Sequence, residues 1–119
     1  MTEFVDKVRE IAMSFPGVTE RLSHGAPSWF IGKSPQFANY TDHHHGVEWT
    51  ATWAATPPGA SEALVLSDPE TYFVPPYFGH RGWVGMRLNG STDWDEVAEL
   101  LEDGWRSVAP ARLIAQRDS

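Results

Sequence analysis

The sequence predicts an α+β domain, a two-layer α/β sandwich with two long helices on one face of an antiparallel sheet. Three observations carry this reading. Both ends of the chain repeat apolar residues at helical spacing, the middle holds short aromatic and β-branched runs broken by Gly and Pro, and one of those runs alternates in polarity residue by residue. With 119 residues the chain fills one core and is too short for two, so residues 1–119 read as a single domain.

Phe4, Val8, Ile11, Ala12 and Phe15 mark the first helix, with Thr2 as the expected N-cap and Pro16-Gly17 as the stop. Strands are predicted over Trp29 to Ile31, Gln36 to Tyr40 and Val47 to Ala54. In the last of these Val47, Trp49, Ala51 and Trp53 share one face, and Glu48, Thr50 and Thr52 the other. Pro57-Pro58-Gly59 introduces a short helix from about Ala60 to Leu66. Tyr72 to Val74 and Trp83 to Leu88 read as two further strands around the turn-rich segment 75–82. A final helix begins near Asp93, carries Trp94, Val97, Leu101, Trp105 and Val108 on one stripe, and stops before Pro110. The sheet face away from the helices is expected to be open and to bear Glu48, Thr50, Thr52, Trp83 and Arg87. Trp29, Trp49, Trp53, Trp94 and Trp105 read as core.

Hydrophobic residues make up 41% of the chain, with six Trp, six Phe and three Tyr, which is enough apolar volume for a sheet–helix core. No Cys is present, which excludes a disulfide framework, a thiolate metal site and a cysteine nucleophile. No apolar run reaches the length of a membrane span, and Thr2, Glu3 and Asp6 do not open a signal peptide, so the expected location is cytoplasmic. The formal charge of −7 disfavours non-specific attachment to phosphate backbones or anionic lipid. Asp93, Asp95, Glu96, Glu99, Glu102 and Asp103 concentrate that charge on the last helix, where helical intervals turn the acids to water and bring Glu102 within reach of Arg106.

The segments Phe15-Pro16-Gly17-Val18-Thr19-Glu20, Gly25-Ala26-Pro27-Ser28-Trp29-Phe30, Gly32-Lys33, Tyr77-Phe78-Gly79-His80-Arg81-Gly82-Trp83-Val84, Asp93-Trp94-Asp95-Glu96-Val97 and 105–113 follow in an order and spacing that resembles the MmcQ/YjbR family. The resemblance covers most of the chain. It implies a frataxin-like (CyaY-like) sandwich and a DNA-binding role in which paired β-wings grip the duplex. Frataxins carry an acidic, iron-binding ridge, which makes a cation site the alternative reading of the acidic last helix.

Lys33, Arg81 and Arg87 are the candidate phosphate contacts, because two lie in or beside turns and the third on the open face; Trp83 is the candidate stacking platform. Each has a structural alternative. Arg81 could pair with Glu20, Arg87 with Glu48, and Trp83 could pack under Pro75-Pro76. Asp42-His43-His44-His45 holds metal-ligand types, but consecutive side chains of an extended segment point opposite ways, and the run reads as a polar turn. No metal or other cofactor is expected. No nucleophile elbow, phosphate-cradling loop or paired-carboxylate motif is present, and His24, His80 and Glu20 are the only acid–base grouping worth weighing. The leading expectation is therefore a non-enzymatic binding or regulatory domain, a monomer or weak homodimer, with DNA as the implied partner. Its alternatives are a small-ligand or enzymatic pocket near residues 77–83 and a protein-interaction surface on the open sheet face.

Overall fold

The computed structural model describes residues 3–43 and 49–119. Its elements are α1 (Phe4–Ala12), β1 (Val18–Ser23), β2 (Ala26–Ile31), β3 (Gln36–Asp42), β4 (Thr50–Ala54), α2 (Ala60–Ser67), β5 (Tyr72–Phe73), β6 (Val84–Arg87), α3 (Trp94–Val108) and α4 (Ala111–Asp118), with a single 3-10 turn over Gly79–Arg81. The six strands form one open antiparallel sheet in the order β1-β2-β3-β4-β6-β5. This is the predicted α+β fold. Among the described residues no helix is long and apolar enough to cross a membrane.

Three elements differ from the sequence reading. Glu3 stands at the N-cap of α1, and Thr2 lies outside the described residues. Strand β1 was not foreseen, because an edge strand buries little and Val-Thr-Glu-Arg-Leu-Ser shows none of the apolar run that marks a covered one. Helix α4 follows Pro110, which ends α3 and then serves as the N-cap of the next helix.

The first face of the sheet is covered by α1 and α3. Val8 and Ala12 of α1 and Val97, Leu101 and Trp105 of α3 pack on Trp29, Phe37, Val84 and Met86. One polar knot pins α1 to the sheet edge: Glu20 Oε1 accepts from Arg9 Nε at 2.8 Å and from Trp29 Nε1 at 2.9 Å. Glu20 is thereby engaged by Arg9, in place of the Arg81 partner suggested by the sequence. At the other end of α3 the expected Arg106–Glu102 pair forms at 2.8 Å, and Arg117 of α4 adds a second bond to Glu102 at 3.2 Å.

The face assignment of β4 requires correction. Thr52 sits between Tyr40 and Met86 in the sheet register, so it points toward the helices with Met86. It is buried because its hydroxyl donates to Asn39 O at 2.7 Å, which removes the cost of taking a polar group out of water. Trp53 lies between Asn39 and Gly85 and so shares the second face with Ala51, Trp83 and Arg87. Glu48 lies outside the described residues.

Gly104 lets α3 approach the sheet closely, since a Cβ there would stand 2.8 Å from Ala55 O. Alanine at this position would gain about 1 kcal/mol of helix propensity. The collision is with backbone, which cannot swing away, and overpacking of this kind costs about 1–3 kcal/mol. Gly104→Ala is therefore expected to destabilise the protein by up to about 2 kcal/mol net, read as a lower urea midpoint with an unchanged slope.

Candidate ligand-binding cavity on the second face of the sheet

The second face is strongly apolar, and the chain folds back to cover part of it. Ala51, Trp53, Ala55, Phe73 and Trp83 form a second cluster, with Trp49 and Phe78 packed against it. The segment leaving β5 is anchored by the fully buried Pro75, turns through the Gly79–Arg81 helix, and is held down where the Thr56 hydroxyl donates to Gly82 O. Phe78 thereby lands on the sheet, 5.7 Å from the Trp53 ring and 4.7 Å from that of Trp83. Gly85 is required beneath Phe73, whose ring occupies the space a Cβ would need.

Between this roof and strands β2 to β4 lies a cavity of about 350 Å³, within the range of roughly 300–1,000 Å³ usual for small-molecule sites. Trp53, Phe78, Tyr77 and Ala26 supply its apolar lining, and Gln36, Asn39, Thr41, Ser23 and His24 its polar lining. Among the described residues no Asp, Glu, Lys or Arg lines it.

Two backbone irregularities build the polar side. The β1–β2 hairpin pairs Ser23 with Ala26 around a two-residue loop, and both loop residues are left-handed, His24 at φ 52° and Gly25 at φ 81°. Positive φ at both central positions matches the twist of a tight hairpin, and His tolerates it better than most residues. The second irregularity is a bulge in the β2–β3 pairing, where Trp29 faces Ala38 but Phe30 faces Gln36. The extra residue, Phe37, turns into the helix-side core, so Gln36 and Asn39 both face the cavity although they are three apart. Tyr77 also has a left-handed backbone, φ 66°, and is 73% exposed at the cavity's rim.

The four candidate nucleic-acid contacts are not gathered into one patch. Lys33 is exposed in the β2–β3 turn, and strands β3 and β4 lie between it and β6. Arg81 lies over the Phe78 and Trp83 rings, 5.1 and 5.8 Å from their centroids. Arg87 donates to Pro69 O at 3.0 Å and Glu70 O at 2.8 Å and lies 4.2 Å over Trp49. Trp83 is only 4% exposed, packed beneath Phe78, so its ring offers no free stacking face. The cavity-lining Asn39 and Gln36 went unremarked in the sequence, because the bulge that aims them depends on a pairing register that a single strand's pattern does not reveal.

A second concavity follows the acidic start of α3, where Asp93, Asp95, Glu96, Glu99 and Asp103 face Tyr72 and Leu64. Asp93 caps the helix, accepting from Asp95 N at 3.0 Å. The Tyr72 hydroxyl donates to Glu96 at 2.5 Å. Among the described residues no group of His, Cys, Asp or Glu is arranged to hold a metal ion; His43 is included in that statement, while His44 and His45 lie outside the described residues.

A model of the YjbR family matches residues 13–107. The crystal structure of Deinococcus radiodurans protein DR2400, a DUF419-domain protein, is similar in fold, with a TM-score of 0.72 at 18% identity over 91% of this chain and 80% of that one. No curated protein matches the chain.

Two outcomes follow from this geometry. Arg87→Ala should cost about 1–3 kcal/mol of stability, because it removes two hydrogen bonds and an aromatic cover together; a urea titration reads this directly. The Tyr72 hydroxyl is pushed far above the ordinary tyrosine value by burial and then by the Glu96 hydrogen bond. The folded state then holds this proton more tightly than the unfolded chain, so the contribution is full below about pH 10 and declines as pH rises above it. Urea midpoints at pH 9 and pH 11 should consequently fall further in the native protein than in Tyr72→Phe.

Proposed function

The chain belongs to the YjbR family, and from that premise we propose that it is a binding domain whose site is the cavity on the second sheet face, taking a small molecule without transforming it. The observation that carries this reading is the partly enclosed space of about 350 Å³ between Trp53 and the Tyr77–Phe78 roof. Large apolar pockets with a few convergent polar groups are the usual form of small-molecule sites. Catalysis is disfavoured by the lining. Among the described residues of the lining, His24 and Tyr77 are the titratable side chains, and no Asp, Glu, Lys or Arg lines the cavity.

The duplex-binding role implied by family resemblance receives less support. Of its expected contacts, Arg81 and Arg87 lie over aromatic rings, Trp83 is covered, and Lys33 stands apart. A formal charge of −7 opposes non-specific capture of a polyanion.

Thermal-shift screening against a library of small uncharged aromatic compounds tests the reading. A ligand at a hundred times its Kd adds about 2.7 kcal/mol to stability, which raises Tm by several degrees. Ala26→Leu, which places two methyls into the cavity wall, should abolish that shift while leaving the fold intact. A library without hits, together with duplex DNA that binds at low salt and releases as salt rises, would replace the cavity with the nucleic-acid reading.

A further inference from the structure

We propose that the cavity selects an uncharged planar heterocycle whose carbonyl or ring nitrogen accepts a hydrogen bond from the side-chain amide of Asn39; this rests on the cavity being the binding site. Asn39 is 4% exposed and lines the cavity from β3. Its Oδ1 accepts from the Trp53 backbone N–H at 3.2 Å. A backbone N–H can only donate, so the bonded atom must be the oxygen, and the amide orientation is thereby fixed. That bond engages the oxygen and leaves the two N–H groups of Nδ2 to face the cavity. A ligand atom that accepts from one of them takes up a donor on the cavity wall of a residue that is itself 4% exposed.

The neighbouring groups complete the specification. Gln36 donates through Nε2 to Ala38 O at 3.3 Å, which leaves Oε1 as an acceptor, and the Thr41 hydroxyl donates to Ala51 O at 3.4 Å, which leaves its lone pairs. The Asn39 donors thus stand on β3 between the acceptor oxygens of Gln36 and Thr41, with the second N–H of Gln36 Nε2 beside them, and a ring that carries both an acceptor and an N–H answers this set. The Phe78 ring stands at 85° to that of Trp53, so a flat guest meets an aromatic face and an aromatic edge. An ion would lose its hydration with no Asp, Glu, Lys or Arg among the described lining residues to replace it. Such a ring arrives either as a free heterocycle or as an unpaired base in a single strand, and the chemistry recognised is the same.

Calorimetric titration of the full chain separates these possibilities with adenine and 2-quinolone as free heterocycles, naphthalene as the matching hydrocarbon, benzoate as the charged ring and a short oligodeoxyadenylate as the strand. Adenine, 2-quinolone or the oligonucleotide should bind at least about tenfold more tightly than naphthalene or benzoate. Binding of the oligonucleotide without adenine identifies the strand as the source, and the reverse identifies the free ring. Asn39→Asp keeps the oxygen that Trp53 N–H requires and replaces the two N–H groups, so it should weaken binding about tenfold or more. If that variant does not fold, the Asn39 side-chain amide resonances of the native protein should move on addition of the bound probe. Naphthalene or benzoate binding as tightly as the heterocycles, or Asn39 resonances and affinity both indifferent to them, overturns the ligand class while leaving the cavity as the site, provided Ala26→Leu still blocks the probe. Absence of binding by every probe, with a library screen also blank, removes the site as well.

Discussion

A sheet that is apolar on both faces has to be covered twice, and most of this structure answers that demand. The strands place Val84, Met86 and Trp29 on one side and Trp53, Phe73 and Trp83 on the other. Helices α1 and α3 bury the first set. For the second the described residues supply no comparable layer, and the segment between β5 and β6 is turned back over the sheet instead. Ten residues cannot cover a six-stranded face. They cover it over β4 and β6, and where Tyr77 and Phe78 overhang β3 the covering leaves a partly enclosed space. The cavity is thus a consequence of an incomplete second layer, bounded by side chains that the same layer holds in place.

The sequence made the fold class legible and left the site obscure, for separable reasons. The amphipathic stripes of α1 and α3 declare themselves because a helix face repeats over many residues, and Trp94, Val97, Leu101 and Trp105 mark it without reference to any other part of the chain. Alternation in β4 was equally plain, yet it could not say which set faced the helices. Trp53 and Thr52 were both buried, and the decisive fact was a hydroxyl bonded to Asn39 O across the strand. Strand β1 carried no apolar run because one of its edges meets solvent. The positions of Gln36 and Asn39 depend on a bulge formed between two strands, which neither strand encodes alone. The turn-rich segment 75–82 was recognisable as a connection from its Gly and Pro, but its fate as a roof was set by Thr56, twenty-six residues before Gly82.

The arginines of the second face follow from the same demand for cover. Arg21 lies 3.5 Å over Phe30, Arg81 over Phe78 and Trp83, and Arg87 over Trp49 and Phe73. A guanidinium is flat, stacks on aromatic rings, and keeps its charged edge available to carbonyls or water. Arg21 and Arg87 use that edge to reach Lys33 O at 2.6 Å and Glu70 O at 2.8 Å. Here the cation serves as an amphipathic shingle, with its apolar surface down on a ring. For a phosphate to recruit these groups it would have to displace contacts worth about 0.5–2 kcal/mol apiece, against the repulsion of a chain carrying seven net negative charges. Of the remaining guanidiniums, those of Arg9, Arg106 and Arg117 face carboxylates on the helix side. Much of the positive charge is thus engaged in closing the structure, and among the described residues no arginine lines the ring-walled cavity, so the recognition proposed there rests on shape and the directed amide of Asn39 in place of charge.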